Sequence, residues 1–264
     1  MTQEPDKTFT LYSARDFPRL PEIEWLIDGI LPTNSLAACY GPSGVGKSFL
    51  ALDMVAAIAS GRDWFGRETK PGPTVYVALE GQAGMRLRVK AWETHNGIPF
   101  PDHVQFLFDD LMLTQVSEAY SLAYAIEQHY RASLIVIDTL NRAAPGADEN
   151  SSIDMGNIIT GAGVLARFTG ATVMLVHHPG KDATRRLRGH SSLYAAMDAI
   201  IEVVEDGAFV RWKLVKSKDS EGGTTQAFSL QPVELGTRGS GATVTSCVVV
   251  PAETQVARRK ELKG

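Results

Sequence analysis

Eight consecutive residues, Gly41, Pro42, Ser43, Gly44, Val45, Gly46, Lys47 and Ser48, fit the pattern G-x-x-x-x-G-K-[ST] at every fixed position. Each residue type answers a chemical need. Gly41, Gly44 and Gly46 let successive backbone N–H groups turn toward an anion, with the positive end of a helix behind them. Lys47 offers a point charge to β- and γ-phosphates, and Ser48 offers a hydroxyl to Mg²⁺. The blander alternative is a glycine-rich turn that happens to precede a lysine. Both flanks argue against it. The apolar run from Ser35 to Tyr40 precedes the loop and the alanine-rich run from Phe49 to Ala59 follows it, strand and then helix. The chain is expected to bind a nucleoside triphosphate, although no motif selects ATP over GTP.

Hydrolysis needs a second anchor for the metal and a group that orients water. Asp138 ends the run Leu134-Ile-Val-Ile, where ligands bind in open α/β sheets. A helix-capping aspartate is the alternative, but Thr139-Leu140 opens no obvious helix. In many phosphate-loop ATPases a glutamate directly follows this acid; here Thr139 does, so the second carboxylate must come from elsewhere. Glu80 ends the strand that follows the phosphate-loop helix. It faces the γ-phosphate position if that strand neighbours the loop strand; a surface carboxylate at a strand end is the alternative. His177 and His178 end the run Ala171 to Val176, with no third ligand at zinc spacing nearby. His178 is placed as a γ-phosphate sensor, against a purely structural hydrogen bond.

Lys181, Arg185, Arg186 and Arg188 then form a basic stretch in a chain of net charge −4. A solvated loop is the bland reading. Its place on the ligand side of the sheet favours contact with a nucleic-acid backbone, without base preference. Lys216 and Lys218 end a later strand and, with Arg188, are candidates for cations reaching a neighbour's phosphates. Plain surface charge is the alternative for each.

These residues sit at the ends of elements the pattern makes legible. Thr74–Leu79, His103–Phe108, Ser133–Asp138 and Ala171–Val176 are apolar runs of strand length. Between them, Gln82–Thr94, Ser117–His129 and Ile153–Phe168 read as helices. Strand alternating with helix specifies an α/β fold with a mostly parallel sheet and helices on both faces. The helix from Phe49 is apolar nearly all round, so it lies buried between the sheet and something else. From Ala199 the grammar changes. Ala199–Val204, Ala208–Lys216, Gln226–Leu230 and Ala242–Val250 follow one another without helices, and are expected as antiparallel strands at one edge of the same sheet.

A length of 264 residues suits one α/β domain, expected over 23–252, with a polar arm at 1–22 and a charged tail at 253–264. Two cysteines, Cys39 and Cys247, lie in apolar strands and read as buried thiols of a reducing compartment. The polar N-terminus shows no signal peptide and no run is long enough to span a membrane, so a cytoplasmic location is expected.

The assembled motifs resemble the RecA-type ATPase core, and more closely the small hexameric replicative DNA helicases of plasmids and phages, the RepA type with a DnaB-like core. The likeness is carried by Val75-Tyr-Val-Ala-Leu-Glu80, Val136-Ile-Asp-Thr-Leu140, Leu175-Val-His-His178 and Arg188-Gly-His-Ser-Ser192, and covers roughly residues 23–220. It implies a homo-oligomeric ring of six hydrolysing ATP with Mg²⁺ at its interfaces. Glu80 would be the catalytic base, His178 the sensor, and Arg188, Lys216 and Lys218 the cations acting across the interface. Single-stranded DNA would thread the ring against the loops at 141–152 and 179–190, although Asp148 and Glu149 make the first of these acidic. A loader or primase would be a separate protein. A RecA-fold ATPase that assembles on DNA without unwinding it, and a nucleotide-dependent switch with a protein partner, stand as alternatives.

Overall fold

Alternation with both faces buried is what the apolar runs build. In the computed structural model, which describes residues 11–19, 22–148, 151–178 and 191–252, a small hairpin of β1 (Trp25–Ile27) and β2 (Leu31–Pro32) leads into β3 (Leu36–Tyr40). Helix α1 (Lys47–Ser60) follows, then β4 (Thr74–Ala78), α2 (Gln82–Asn96), β5 (Val104–Leu107), α3 (Val116–His129) and β6 (Leu134–Asp138). The chain continues through α4 (Ser152–Thr169), β7 (Thr172–His177) and α5 (Ser191–Ala196). It ends in β8 (Ala199–Asp206), β9 (Phe209–Ser217), β10 (Thr225–Thr237) and β11 (Thr243–Pro251). Arg188, Lys181, Arg185, Arg186 and the tail from 253 lie outside the described residues.

Nine strands form one sheet in the order β11-β10-β9-β8-β3-β7-β6-β4-β5. Neighbours from β8 to β5 are parallel, and β8 to β11 pair antiparallel. The expected antiparallel edge is present: its first strand, β8, joins the parallel sheet through β3 and pairs antiparallel with β9. The sheet separates two apolar layers. Leu134 and Val136 of β6 and Met174 and Val176 of β7 face one, Ile135, Ile137, Val173 and Leu175 the other. This period of two is why those strands read as unbroken apolar runs. Helices α3, α4 and α5 cover the second layer.

On the first layer, α1 packs on the central strands and also against β11, while α2 contacts both β10 and β11. The β10–β11 hairpin therefore arches over α1, which answers why that helix is apolar on every side. It also makes α2 less of a surface helix than its charges suggest, since Met85, Ala91 and Trp92 are buried. Cys39 is buried as expected, but Cys247 on the arching strand is only half-buried.

Candidate nucleotide site

The loop between β3 and α1 has the steric tightness its glycines imply. A Cβ on Gly41 would stand 2.0 Å from the carbonyl oxygen of Val203 on β8, so no side chain fits without moving that strand. Gly46, at φ 104, caps the start of α1, and a Cβ there would press on Leu230 of the arching hairpin. The loop is thus clasped by the neighbouring strand and by the hairpin.

Lys47 is buried, and its ammonium donates to the carbonyls of Gly41 (2.8 Å) and Pro42 (2.7 Å). Its third bond, 2.8 Å, goes to Nδ1 of His178, one residue beyond β7. Because an ammonium only donates, that ring nitrogen accepts and the imidazole proton resides on Nε2. Burial, and then the charge of Lys47, push the His178 pKa below its ordinary value, which keeps the ring neutral. Burial lowers Lys47 as well, opposed by Cys39, Asp138 and Glu80. The Cys39 thiol beneath the loop is pushed up to about 12 by burial and stays protonated.

Asp138 is buried at the end of β6. Oδ2 accepts a 2.6 Å hydrogen bond from the hydroxyl of Tyr76 on β4, while Oδ1 is buried without a partner among the described residues. A buried carboxylate oxygen lacking a donor is costly unless something positive meets it. With Ser48 at the second position of α1, this is the hard oxygen donor set a magnesium ion takes beside nucleotide phosphates. The residues present fit Mg²⁺ and a triphosphate. Burial and the negative charge of Asp138 hold the Tyr76 phenol protonated, its pKa well above the ordinary value.

Glu80 reaches the site by a different route from the one the sequence suggested. Its strand, β4, does not neighbour β3; it pairs with β6 and β5, and β7 and β6 lie between it and β3. Register does the placing instead. Ala78 lies opposite Asp138, and the Leu79 amide donates to the Asp138 carbonyl at 2.9 Å. Glu80 consequently stands beside Thr139, whose hydroxyl donates to Oε1 at 3.1 Å; Arg142 Nε lies 3.4 Å from the same oxygen. Thr139, which in sequence stands where many phosphate-loop ATPases carry a glutamate, holds the glutamate that follows β4. His177 is turned the other way, with Nδ1 3.2 Å from Asn141 Oδ1, tying the end of β7 to the loop after β6.

Lys216 and Lys218 stand apart from these groups. Ser217 pairs with Ala199, and Ala199 with Ala37, so both lysines lie where β3 begins, at the end of the sheet opposite the phosphate loop. Lys216 donates to the carbonyls of Tyr194 (2.5 Å) and Ala195 (3.1 Å) at the end of α5, and Lys218 pairs with Asp198 at 2.5 Å. Tyr76 and Arg142 were missed in the sequence. A hydroxyl inside a strand buried on both faces was the available signal for Tyr76, since buried tyrosines find a partner.

Residues 2–184 match the family described as AAA domain. Among solved structures the chain is similar to a crystal structure of the RadB recombinase, at TM-score 0.55 and 18% sequence identity, over 75% of this chain and 88% of that one. Among the described residues no helix is long and apolar enough to cross a membrane. With the family match spanning more than half its length, the chain belongs to the AAA domain family, and its fold is that of the RecA-type phosphate-loop ATPases.

Proposed function

We propose that the protein is an ATPase that forms a ring on single-stranded DNA and acts there as a motor, a replicative helicase of a plasmid, phage or other mobile element. The observation that carries hydrolysis is the placement of Glu80. Thr139 and Arg142 hold its carboxylate at the end of the sheet where Lys47, His178 and the unpartnered Asp138 oxygen converge. A carboxylate so held can orient water and accept its proton. Lys47 draws charge from the β- and γ-phosphates, and neutral His178, bonded to Lys47, registers the γ-phosphate. Bound with the nucleotide at Asp138 and Ser48, Mg²⁺ would neutralise charge on the phosphate oxygens.

Lys216 and Lys218 lie at the end of their own sheet opposite the phosphate loop, so in this reading of a ring they act on a neighbouring subunit's nucleotide rather than on their own. In this reading Arg188 acts beside them, and Lys181, Arg185 and Arg186 hold the DNA backbone. The similarity to the RadB recombinase favours a second reading, a DNA-dependent ATPase of recombination or regulation that does not unwind.

The test is ATP hydrolysis with and without single-stranded DNA at low salt, with the mass in solution measured in parallel. Strong stimulation, a mass near six subunits and strand displacement are expected. Stimulation without strand displacement selects the second reading. A monomer whose slow turnover ignores DNA refutes both and leaves a nucleotide switch.

A further inference from the structure

The candidate metal ligands come from two elements that do not adjoin in sequence, Ser48 on α1 and Asp138 on β6. Something must set the distance between them. One atom touches both residues: the hydroxyl oxygen of Tyr76 lies 2.6 Å from Asp138 Oδ2 and 3.4 Å from the carbonyl oxygen of Ser48. A phenol has one proton to donate, and the short bond takes it, so the Ser48 contact is a spacing contact. The phenol itself cannot shift. Tyr76 is fully buried in the middle strand of the three at that end of the sheet, its ring 6.0 Å from that of Phe106.

Rotation about the last side-chain torsion of an aspartate is broad and nearly two-fold, so an unheld carboxylate offers either oxygen to a ligand. In this protein Oδ2 is engaged and, among the described residues, Oδ1 is left bare. We propose that Tyr76 is a positioning residue of the divalent-cation site, fixing the Asp138 carboxylate so that Oδ1 alone faces the cation and setting its spacing from Ser48. The inference rests on the reading of the site as one for a metal–nucleotide pair. It adds an outer partner to that site, the kind of group whose loss typically weakens metal binding about 10- to 100-fold.

The test is Tyr76→Phe, which keeps the ring and removes one oxygen. Manganese binding is read by electron paramagnetic resonance in the presence of a non-hydrolysable ATP analogue, and analogue binding is measured separately in EDTA. Tyr76→Phe is expected to weaken manganese binding about 10-fold while leaving metal-free nucleotide affinity and circular dichroism unchanged. In an Asp138→Asn background the same substitution should change manganese affinity no further, because its effect passes through the carboxylate. Unchanged manganese affinity in Tyr76→Phe overturns the inference and leaves the site reading standing. So does an equal loss in EDTA, or an equal loss in the Asp138→Asn background, either of which marks a general packing role. Wild-type protein that binds neither analogue nor manganese refutes the site reading itself, and the inference with it.

Discussion

Asp53, on the flank of α1, is held in the wrong charge state for its surroundings, and replacing it should make the protein more stable. Its Oδ2 accepts from Trp64 Nε1 at 3.1 Å, and that indole stacks on Trp212 with centroids 4.9 Å apart. Burial among these rings raises the carboxyl from 3.8 to about 6, against the opposing pull of Arg62 and the Trp64 hydrogen bond. The folded protein therefore binds this proton more tightly than the unfolded chain. Stability is unaffected below the unfolded value and falls as pH rises from about 4 to about 6, where the full penalty is reached. At 1.36 kcal/mol per pKa unit the penalty at neutral pH is about 3 kcal/mol. Asp53→Asn keeps an acceptor for Trp64 and removes the charge, but its new N–H₂ group has to be accommodated, at roughly 1 kcal/mol. The net gain expected is about 2 kcal/mol. With an unfolding entropy of about 2.1 cal/mol/K per residue, this corresponds to a rise in Tm of about 4 °C at pH 7.5. Thermal melts of both proteins across pH 4 to 8 read it directly. The gain should shrink toward zero by pH 4. A gain of the same size at pH 4, or none at pH 7.5, would refute the argument that a half-buried charge is being relieved.

Gly41→Ala places a methyl where the Val203 carbonyl stands, at about 1–3 kcal/mol of stability. It should lose nucleotide binding by more than about 10-fold in a fluorescent-nucleotide titration while keeping its circular dichroism; wild-type affinity would contradict the close approach. Glu80→Gln should bind ATP normally and lose about 100-fold or more in turnover, the usual scale for a general base. Turnover at the wild-type rate takes Glu80 out of the chemistry. Lys218→Ala should change stability by under about 1 kcal/mol, because its ion pair with Asp198 is partly exposed and screened by solvent. In a ring it should nevertheless reduce turnover at least about 10-fold without changing mass, and undiminished turnover would remove it from the neighbour's site.

The parts of this site that were legible in the sequence are those whose signal is local. The phosphate loop is one continuous stretch in which every residue type has its own reason. Asp138 ends a run whose apolarity follows from burial on both faces, a property of that strand alone. The strand order is not local, and the route by which Glu80 reaches the site was misjudged for that reason. Nothing between residues 74 and 138 states that β4 lies beside β6, with two strands between it and β3. The arching hairpin was hidden in the same way. An all-round apolar α1 announced a second covering layer, but nothing in the helix identified β11 as the cover, or Leu230 as the side chain lying on Gly46.

Thr139 and Tyr76 show how non-local placement becomes chemistry. Each is unremarked in sequence because it belongs to a run read for its apolarity or for what it lacks. Parallel pairing of β4 with β6 puts Ala78 opposite Asp138, so residues of one strand tip must meet residues of the other. From that one register, Tyr76 reaches Asp138 and Thr139 reaches Glu80. The two carboxylates are thus each held by a hydroxyl from the opposite strand. A slip of one residue would turn both hydroxyls to the other face of the sheet, because side chains alternate along a strand. The apolar residues on both faces of β4 and β6 forbid that slip, since it would exchange Val75 and Val77 with Tyr76 between the two cores. The packing that makes these strands look featureless is therefore what fixes the position of the acid and the glutamate.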